Sequence, residues 1–345
     1  MHQLEQQLEV HTNMPNRHTT LTSLFTDIAG AIRSKTGDSA KIKADDFDTA
    51  IQNIPTGGGG GYTTEQLLGI DIIDNLTYDG TDLSAYCLYG KKINNIYLPN
   101  LTKIYAGALS STYVYYSDLN TLFSKVEKVY ANGLSFFNAE KNLTSDYNVV
   151  FPKLTYVEDK SSFRAFGGGG NNDYSYANYN NPKYNIIMPL MADKYNYSPG
   201  YNLYRVRNVS ARNWMGVKNI CSYGYSVGTL DIKGWSTAPT SSSSNNCLTY
   251  YANNLRTLVI RNSTMCPASS NPNYMWGTVS SQAYFMTGTT NSIYNPNGEH
   301  GVIYVPDNLV DTYKNDANWQ ACFDVNYIKP LSEYVDPYES YYQQA

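Results

Sequence analysis

Apolar residues recur along this chain in a strand-then-turn pattern, most completely over residues 93–109. Ile96 and Leu98 alternate across a short strand, and Pro99 ends it because proline has no N–H to give to a ladder. Leu101 and Ile104 follow three apart, a spacing that suits a tight turn or a short 3₁₀ segment folding back under the strand. Ala108 and Leu109 close the unit. A segment of this kind cannot bury both of its halves alone; it needs a copy on either side, which is the physical logic of a solenoid.

Copies follow in the same order. The Leu101/Ile104 step returns as Val126/Val129 and as Leu154/Val157, at offsets inside the roughly 20–29-residue period of leucine-rich repeats. The strand-then-proline half returns as Asn148-Val-Val-Phe-Pro152, Asn185-Ile-Ile-Met-Pro189 and Val302-Ile-Tyr-Val-Pro306, with a looser pair at Leu230-Asp-Ile232 and Leu258-Val-Ile260. These units resemble BspA-like leucine-rich repeats. The resemblance covers residues 90–265; it is good at 93–109, fair at 126–163 and poor between Ala165 and Asn219. It implies a β-rich solenoid of leucine-rich-repeat type. Residues 301–319 with Tyr327–Tyr334 look like the ending that such proteins carry in phages and prophages of gut bacteria.

The flanks differ in kind. Leu21, Leu24, Ile28 and Ala31 keep the seam spacing of a packed helix, with Arg33 and Lys35 near its C-terminal end and Gly37 beyond; Phe47, Ile51 and Ile54 mark a second, ended by Pro55. Helices this short are marginal without a partner. The pair looks like a module near the start of phage tail-fibre and other tail-associated proteins, which implies attachment to tail or baseplate proteins and a homo-oligomer, such as a trimer. Gly57–Gly61 is a flexible joint, not a phosphate loop, because no Lys-Ser/Thr follows. The expected organisation is a helical anchor at 1–55, a linker at 56–61, a repeat body at 62–300, a C-terminal capping unit at 301–335 and a tail at 336–345. Leu67, Leu68, Ile70, Ile72 and Ile73 are expected to cover the first coil. In the capping unit Asp307 is expected to N-cap one helix, with Leu309, Val310, Tyr313 and Ala317 on its buried side and Trp319 plugging the last coil.

Composition changes the picture in one respect. The chain has 345 residues and a net charge of only −4, so no basic surface points to nucleic acid. It carries 34 Tyr against 10 Phe, with Asn and Ser abundant around them. A buried Tyr needs a partner for its hydroxyl, so a pure core would use more Phe. Tyr among Ser, Gly and Asn is the palette of antibody recognition loops. About half of these tyrosines are expected only to decorate sheet faces. The contact surface is placed on Tyr174, Tyr176, Tyr179, Tyr195, Tyr197, Tyr201, Tyr223 and Tyr225, where Tyr and Asn crowd the least repeat-like stretch. The Tyr/Asn/Ser bias also resembles the targets of diversity-generating retroelements.

Little in the chain looks catalytic. Of four histidines only His300 lies in the body, and the five cysteines have no Cys-x-x-Cys spacing, so they are expected as small reduced core residues. No metal, cofactor or catalytic set is expected. No apolar run reaches the roughly 18 residues of a membrane span, and no charged-then-apolar leader opens the sequence. The expected protein is therefore not an enzyme. The resemblance implies a phage receptor-binding protein, made in the host cytoplasm and assembled into the virion, that meets a host cell-surface glycan or protein. Three rivals stay open, one of them a purely structural tail component. A tail-fibre polysaccharide depolymerase would need two carboxylates roughly 5–10 Å apart, for which Asp118, Asp146, Asp159, Asp173 and Asp231 are candidates. A bacterial surface adhesin would carry the same repeats.

Overall fold

The computed structural model describes residues 72–115, 118–135, 137–139, 143, 145–158, 162–163, 166, 183–192, 194–195, 203, 205–216, 219–224, 226–243, 246–277, 284–285 and 298–344. The chain divides into two compact units, Met1–Gly60 and Gly61–Ala345, and all described residues belong to the second. The expected anchor helices at 1–55, the glycine joint, Leu67, Leu68, Ile70 and the Gly/Asn-rich stretch at 165–181 lie outside the described residues.

Among the described residues most strands are short and every pairing is parallel. The first half contains β1 (Ile72–Thr77), β2 (Asp82–Leu83), β3 (Lys92–Tyr97), β4 (Lys103–Ile104), β5 (Tyr113–Val114), the helix α1 (Leu119–Phe123), β6 (Lys128–Val129), β7 (Asn138–Ala139), β8 (Tyr147–Val150) and β9 (Tyr156–Val157). One sheet runs β1-β3-β5-β7 and a second runs β2-β4-β6-β9. The chain thus alternates between two ladders. The register aligns Leu83, Ile104, Val129 and Val157 across the second ladder. Ile104, Val129 and Val157 are the residues that the repeated apolar step put in correspondence. Leu101, Val126 and Leu154, the first residues of that step, are all fully buried beneath it.

The second half contains β10 (Tyr184–Ile187), β11 (Lys194–Tyr195), β12 (Val206–Gly216), β13 (Cys221–Ser222), β14 (Thr229–Trp235), β15 (Thr249–Tyr250), β16 (Thr257–Ile260), α2 (Pro272–Trp276) and β17 (Val302–Val305). After them come α3 (Val310–Asn315), α4 (Ala317–Cys322), β18 (Ile328–Pro330) and α5 (Glu339–Gln343). The largest sheet runs β18-β17-β16-β14-β12-β10-β8, with β11 beside β12. Its inward rows are aliphatic: Val149, Ile186, Val209, Leu230, Leu258 and Ile303 meet across five successive pairings. The Leu230/Leu258 and Ile232/Ile260 correspondences read from the sequence are ladder partners. The protein is therefore β-rich and built on open parallel sheets, none of which closes into a barrel among the described residues.

Parallel sheets are normally covered on both faces. Here the inner face meets the core, and part of the outer face of the largest sheet is covered by the chain's own C-terminal segment. Asn148, Asn185 and Asn208 stand in line on that outer face. Asn185 donates to Asn148 Oδ1 and Asn208 donates to Asn185 Oδ1, both at 2.8 Å. Asn208 and Asn148 also donate to the hydroxyls of Tyr338 and Tyr341, at 2.9 and 3.2 Å. Replacing Asn185 by Ala leaves the Asn148 and Asn208 amides without their bridging partner. The expected cost is about 1–3 kcal/mol, read from the midpoint of chemical denaturation. Asn95→Ala removes a solvent-exposed rung to Asn75 and should barely move that midpoint.

The C-terminal capping unit corrects one expectation. Two helices replace the single one, because the chain breaks at Asp316, whose carboxylate caps α4 by accepting from the backbone N–H of Asn318 and Trp319. Asp307 makes no helix cap; its carboxylate accepts from the backbone N–H of Ser332. Tyr313, Trp319 and Cys322 are buried, Leu309 and Val310 are half-buried, and Ala317 is exposed because the break turns it outward. Trp319 does seat deep in this end of the body, beside Tyr313 and Trp235. All five cysteines are free thiols, four of them buried, and burial pushes Cys221, Cys247 and Cys322 up to about 12.

Candidate ligand-binding surface

Of the tyrosines expected to make the contact surface, Tyr223 is the one whose side chain is described. Tyr195 forms part of β11, opposite Gly216 of β12, but only its backbone is described. Tyr174, Tyr176, Tyr179, Tyr197, Tyr201 and Tyr225 lie outside the described residues.

Tyr223 belongs to a three-ring cluster. Cys221 and Ser222 pair in parallel with Thr249 and Tyr250, and the Tyr223 N–H donates to the Tyr250 carbonyl at 2.5 Å. The next turn therefore puts Tyr251 beside Tyr223. Both have positive φ, 57° and 52°. Their rings lie within 14° of parallel with centroids 5.6 Å apart. Tyr250 stands edge-on to both, at 4.5 Å from Tyr251 and 5.2 Å from Tyr223. All three are half-buried. Beneath them Cys221, Cys247 and Leu248 are buried and hold the two turns in register. Burial, with Tyr251 next, raises the Tyr250 phenol.

Composition alone did not single out Tyr250 and Tyr251. The signal was there: the step that takes Leu230 to Leu258 also takes Tyr223 to Tyr251. Left-handed backbone is unusual for a bulky side chain, and such outliers gather at ligand clamps and switch regions. Three rings set at two orientations offer faces for stacking and hydroxyls for hydrogen bonding, the chemistry of a recognition patch.

Other tyrosines serve the fold. Tyr105 and Tyr130 stack with 1° between their planes at 4.7 Å, the spacing of neighbouring strands, and Tyr156 lies tilted by 55° at 5.6 Å from Tyr130. Tyr184, Tyr284, Tyr313 and Tyr338 are buried, and the Tyr313 hydroxyl accepts from the Cys266 N–H at 2.8 Å. The hydroxyls of Tyr284 and Tyr338 accept from Arg256 and Asn208, so these buried rings also find polar partners.

Of the five aspartates weighed as glycosidase candidates, the three described ones, Asp118, Asp146 and Asp231, are engaged in the fold. Asp118 caps α1 and accepts from the Tyr147 hydroxyl at 2.5 Å. Burial would raise its carboxyl, but the hydrogen bonds from Tyr147, Thr121 and the backbone outweigh that and hold it below the usual range. Asp146 pairs with Arg207 at 2.5 Å and accepts from the Lys183 N–H. Asp231 is buried against Arg261 and Arg212. Asp159 and Asp173 lie outside the described residues. Among the described residues no group of three or more His, Cys, Asp or Glu is set to hold a metal, and no helix is long and apolar enough to cross a membrane. No family model, curated protein or solved structure matches the chain.

Proposed function

We propose that this chain is a phage tail-associated receptor-binding protein. Its body is read as a leucine-rich-repeat-like solenoid of the BspA type that presents tyrosine-rich turns to a host cell-surface glycan or protein. The solenoid reading draws on the ladders, which join the same residues that the sequence repeat aligns, such as Ile104, Val129 and Val157. The adhesive reading rests on one observation above all: Tyr223, Tyr250 and Tyr251 form a half-buried cluster in which Tyr223 and Tyr251 sit on strained left-handed backbone. The tyrosines at 174–201 and Tyr225 extend that surface in this reading. Segment 1–55 serves as the anchor to tail or baseplate proteins, in a homo-oligomer, and the glycine run supplies reach. The protein acts by binding within the virion and not by catalysis.

The test uses fluorescently labelled full-length protein on intact cells of gut isolates, Gram-positive and Gram-negative. Wild type should stain a subset of strains. The variant Tyr223→Asn/Tyr250→Ser/Tyr251→Asn keeps residues that tolerate left-handed backbone while deleting all three rings. Loss of two hot-spot contacts should weaken binding to those strains by more than about tenfold, with the melting temperature nearly unchanged. Equal staining by the variant, or no stained strain at all, would sink the reading. Release of soluble oligosaccharide from host polysaccharide would replace it with an enzymatic one.

A further inference from the structure

We propose that Tyr86 and Tyr89 form a saccharide-binding platform that takes the apolar face of a pyranose ring. This does not depend on the tail-fibre reading; it concerns a surface on the first described turns, away in sequence from the tyrosines discussed above.

Successive turns define the argument. The Tyr86 N–H donates to the Ala106 carbonyl and the Gly107 N–H to the Ala131 carbonyl, each at 3.0 Å. Tyr86, Gly107 and Asn132 therefore occupy one equivalent position, and all have positive φ, at 58°, 66° and 58°. Gly and Asn are the residues that suit this backbone. Tyrosine does not, at a cost on the order of 1–2 kcal/mol. The first turn thus carries a strained ring where its neighbours carry relaxed residues. Strain of that kind points to a use for the side chain.

The ring's setting indicates the use. It passes over Gly107, where an added Cβ would come far inside van der Waals contact with its Cε1 and Cδ1. The missing side chain at Gly107 leaves room for the ring, and Tyr86 is 56% exposed. Tyr89, 52% exposed, stands at 64° to it with centroids 6.1 Å apart. The two rings make a floor and a wall. The electron-rich face of an aromatic ring attracts the partly positive C–H groups that line one side of a pyranose.

Size and charge select the occupant. A stable protein interface covers about 800 Å² on each partner. Among the described residues the exposed large hydrophobics are only Tyr86, Tyr89, Tyr97 and Val335. Two rings suffice for one sugar and fall short of a protein face. A nucleobase would also stack, but polynucleotide binders add a basic groove along the backbone, and this chain has a net charge of −4.

Saturation-transfer NMR on the full chain tests this with methyl β-glucopyranoside, methyl β-galactopyranoside and N-acetylglucosamine at roughly millimolar concentration, where single-sugar affinities lie. Transfer from the protein should be strongest at the axial C–H protons of one ring face. Tyr86→Asn should abolish it while leaving the melting temperature equal or higher, since Asn relaxes the backbone. Tyr89→Ala should weaken it severalfold. Absence of transfer to all three sugars, undiminished transfer to the Tyr86→Asn protein, or a melting temperature lowered by that change would each overturn the proposal; the last would make the ring a structural cover for Gly107. The cell-staining assay on the same variant reads separately: staining that survives while sugar transfer is lost leaves the adhesion reading intact.

Discussion

Replacing Trp319 by Ala should destabilise the body by about 3–5 kcal/mol, the cost of deleting a fully buried large aromatic. The side chain is completely enclosed, packed against Tyr313 at 5.1 Å, Trp235 at 6.1 Å and Trp276 at 6.5 Å. Its indole N–H donates to the Cys266 carbonyl at 3.0 Å. Truncation therefore opens a cavity and leaves a buried carbonyl without that donor. Trp276 hydrogen-bonds the Cys322 carbonyl at 2.7 Å, so the wall left behind is tied down and cannot readily collapse inward. Trp319→Phe fills most of the space and separates the two contributions; it should cost about 1–3 kcal/mol, the lost hydrogen bond together with imperfect fit. Equilibrium urea denaturation measures both. A loss below about 1 kcal/mol for the Ala variant would mean that this end of the body is not packed as described.

The second large effect is expected at Asp231. Its carboxylate is fully buried and takes both arms of Arg261, at 2.6 and 2.8 Å, with Arg212 Nε at 3.5 Å. Asp336 bridges the same two arginines, meeting Arg261 at 2.6 Å and pairing directly with Arg212. Glu339 pairs with Arg212 at 2.7 Å, and the Tyr342 ring lies 3.8 Å from the Arg212 guanidinium. Burial pushes the Asp231 carboxyl up, and Arg261 and Arg212 pull against it. Asp231→Ala strips the central anion from two partly buried cations. Breaking a buried pair on one side costs about 3–5 kcal/mol. Because Asp336 and Glu339 reach the sheet through these arginines, the C-terminal segment should also loosen. Limited proteolysis reports it: cleavage between residues 334 and 343 should appear in the variant well below its melting temperature. A variant that resists cleavage and keeps its midpoint would show that the arginines are satisfied without Asp231.

Both effects concern parts of the molecule that pattern reading saw unequally. Trp319 was legible as a buried residue because it follows the strand-proline segment 302–306. The helix break was not, since Asp316 looks like any surface acid until its backbone partners are known. Asp231 sits between Leu230 and Ile232 and was weighed as a catalytic candidate, whereas its partners are arginines 19 and 30 residues distant in the numbering of Arg212 and Arg261. In β12, Arg207, Asn208, Arg212 and Asn213 break up the apolar pattern, so the region read as the poorest match to the repeat holds the longest strand among the described residues. Arg207 is matched by Asp146, Asn208 by Asn185 and Tyr338, Arg212 by Asp336 and Glu339, and Asn213 by the Pro189 carbonyl.

The sequence alone determined which residues face inward and how successive strands align. A slip of one residue would turn every aliphatic side chain outward, so the spacing of Leu, Ile, Val and Pro encodes the register locally. Only the tertiary structure decided what covers the outer face and which tyrosines stand exposed. Those outcomes depend on hydrogen bonds and ion pairs between segments up to 193 residues apart, as at Asn148 and Tyr341, and partners that distant leave no period in the chain.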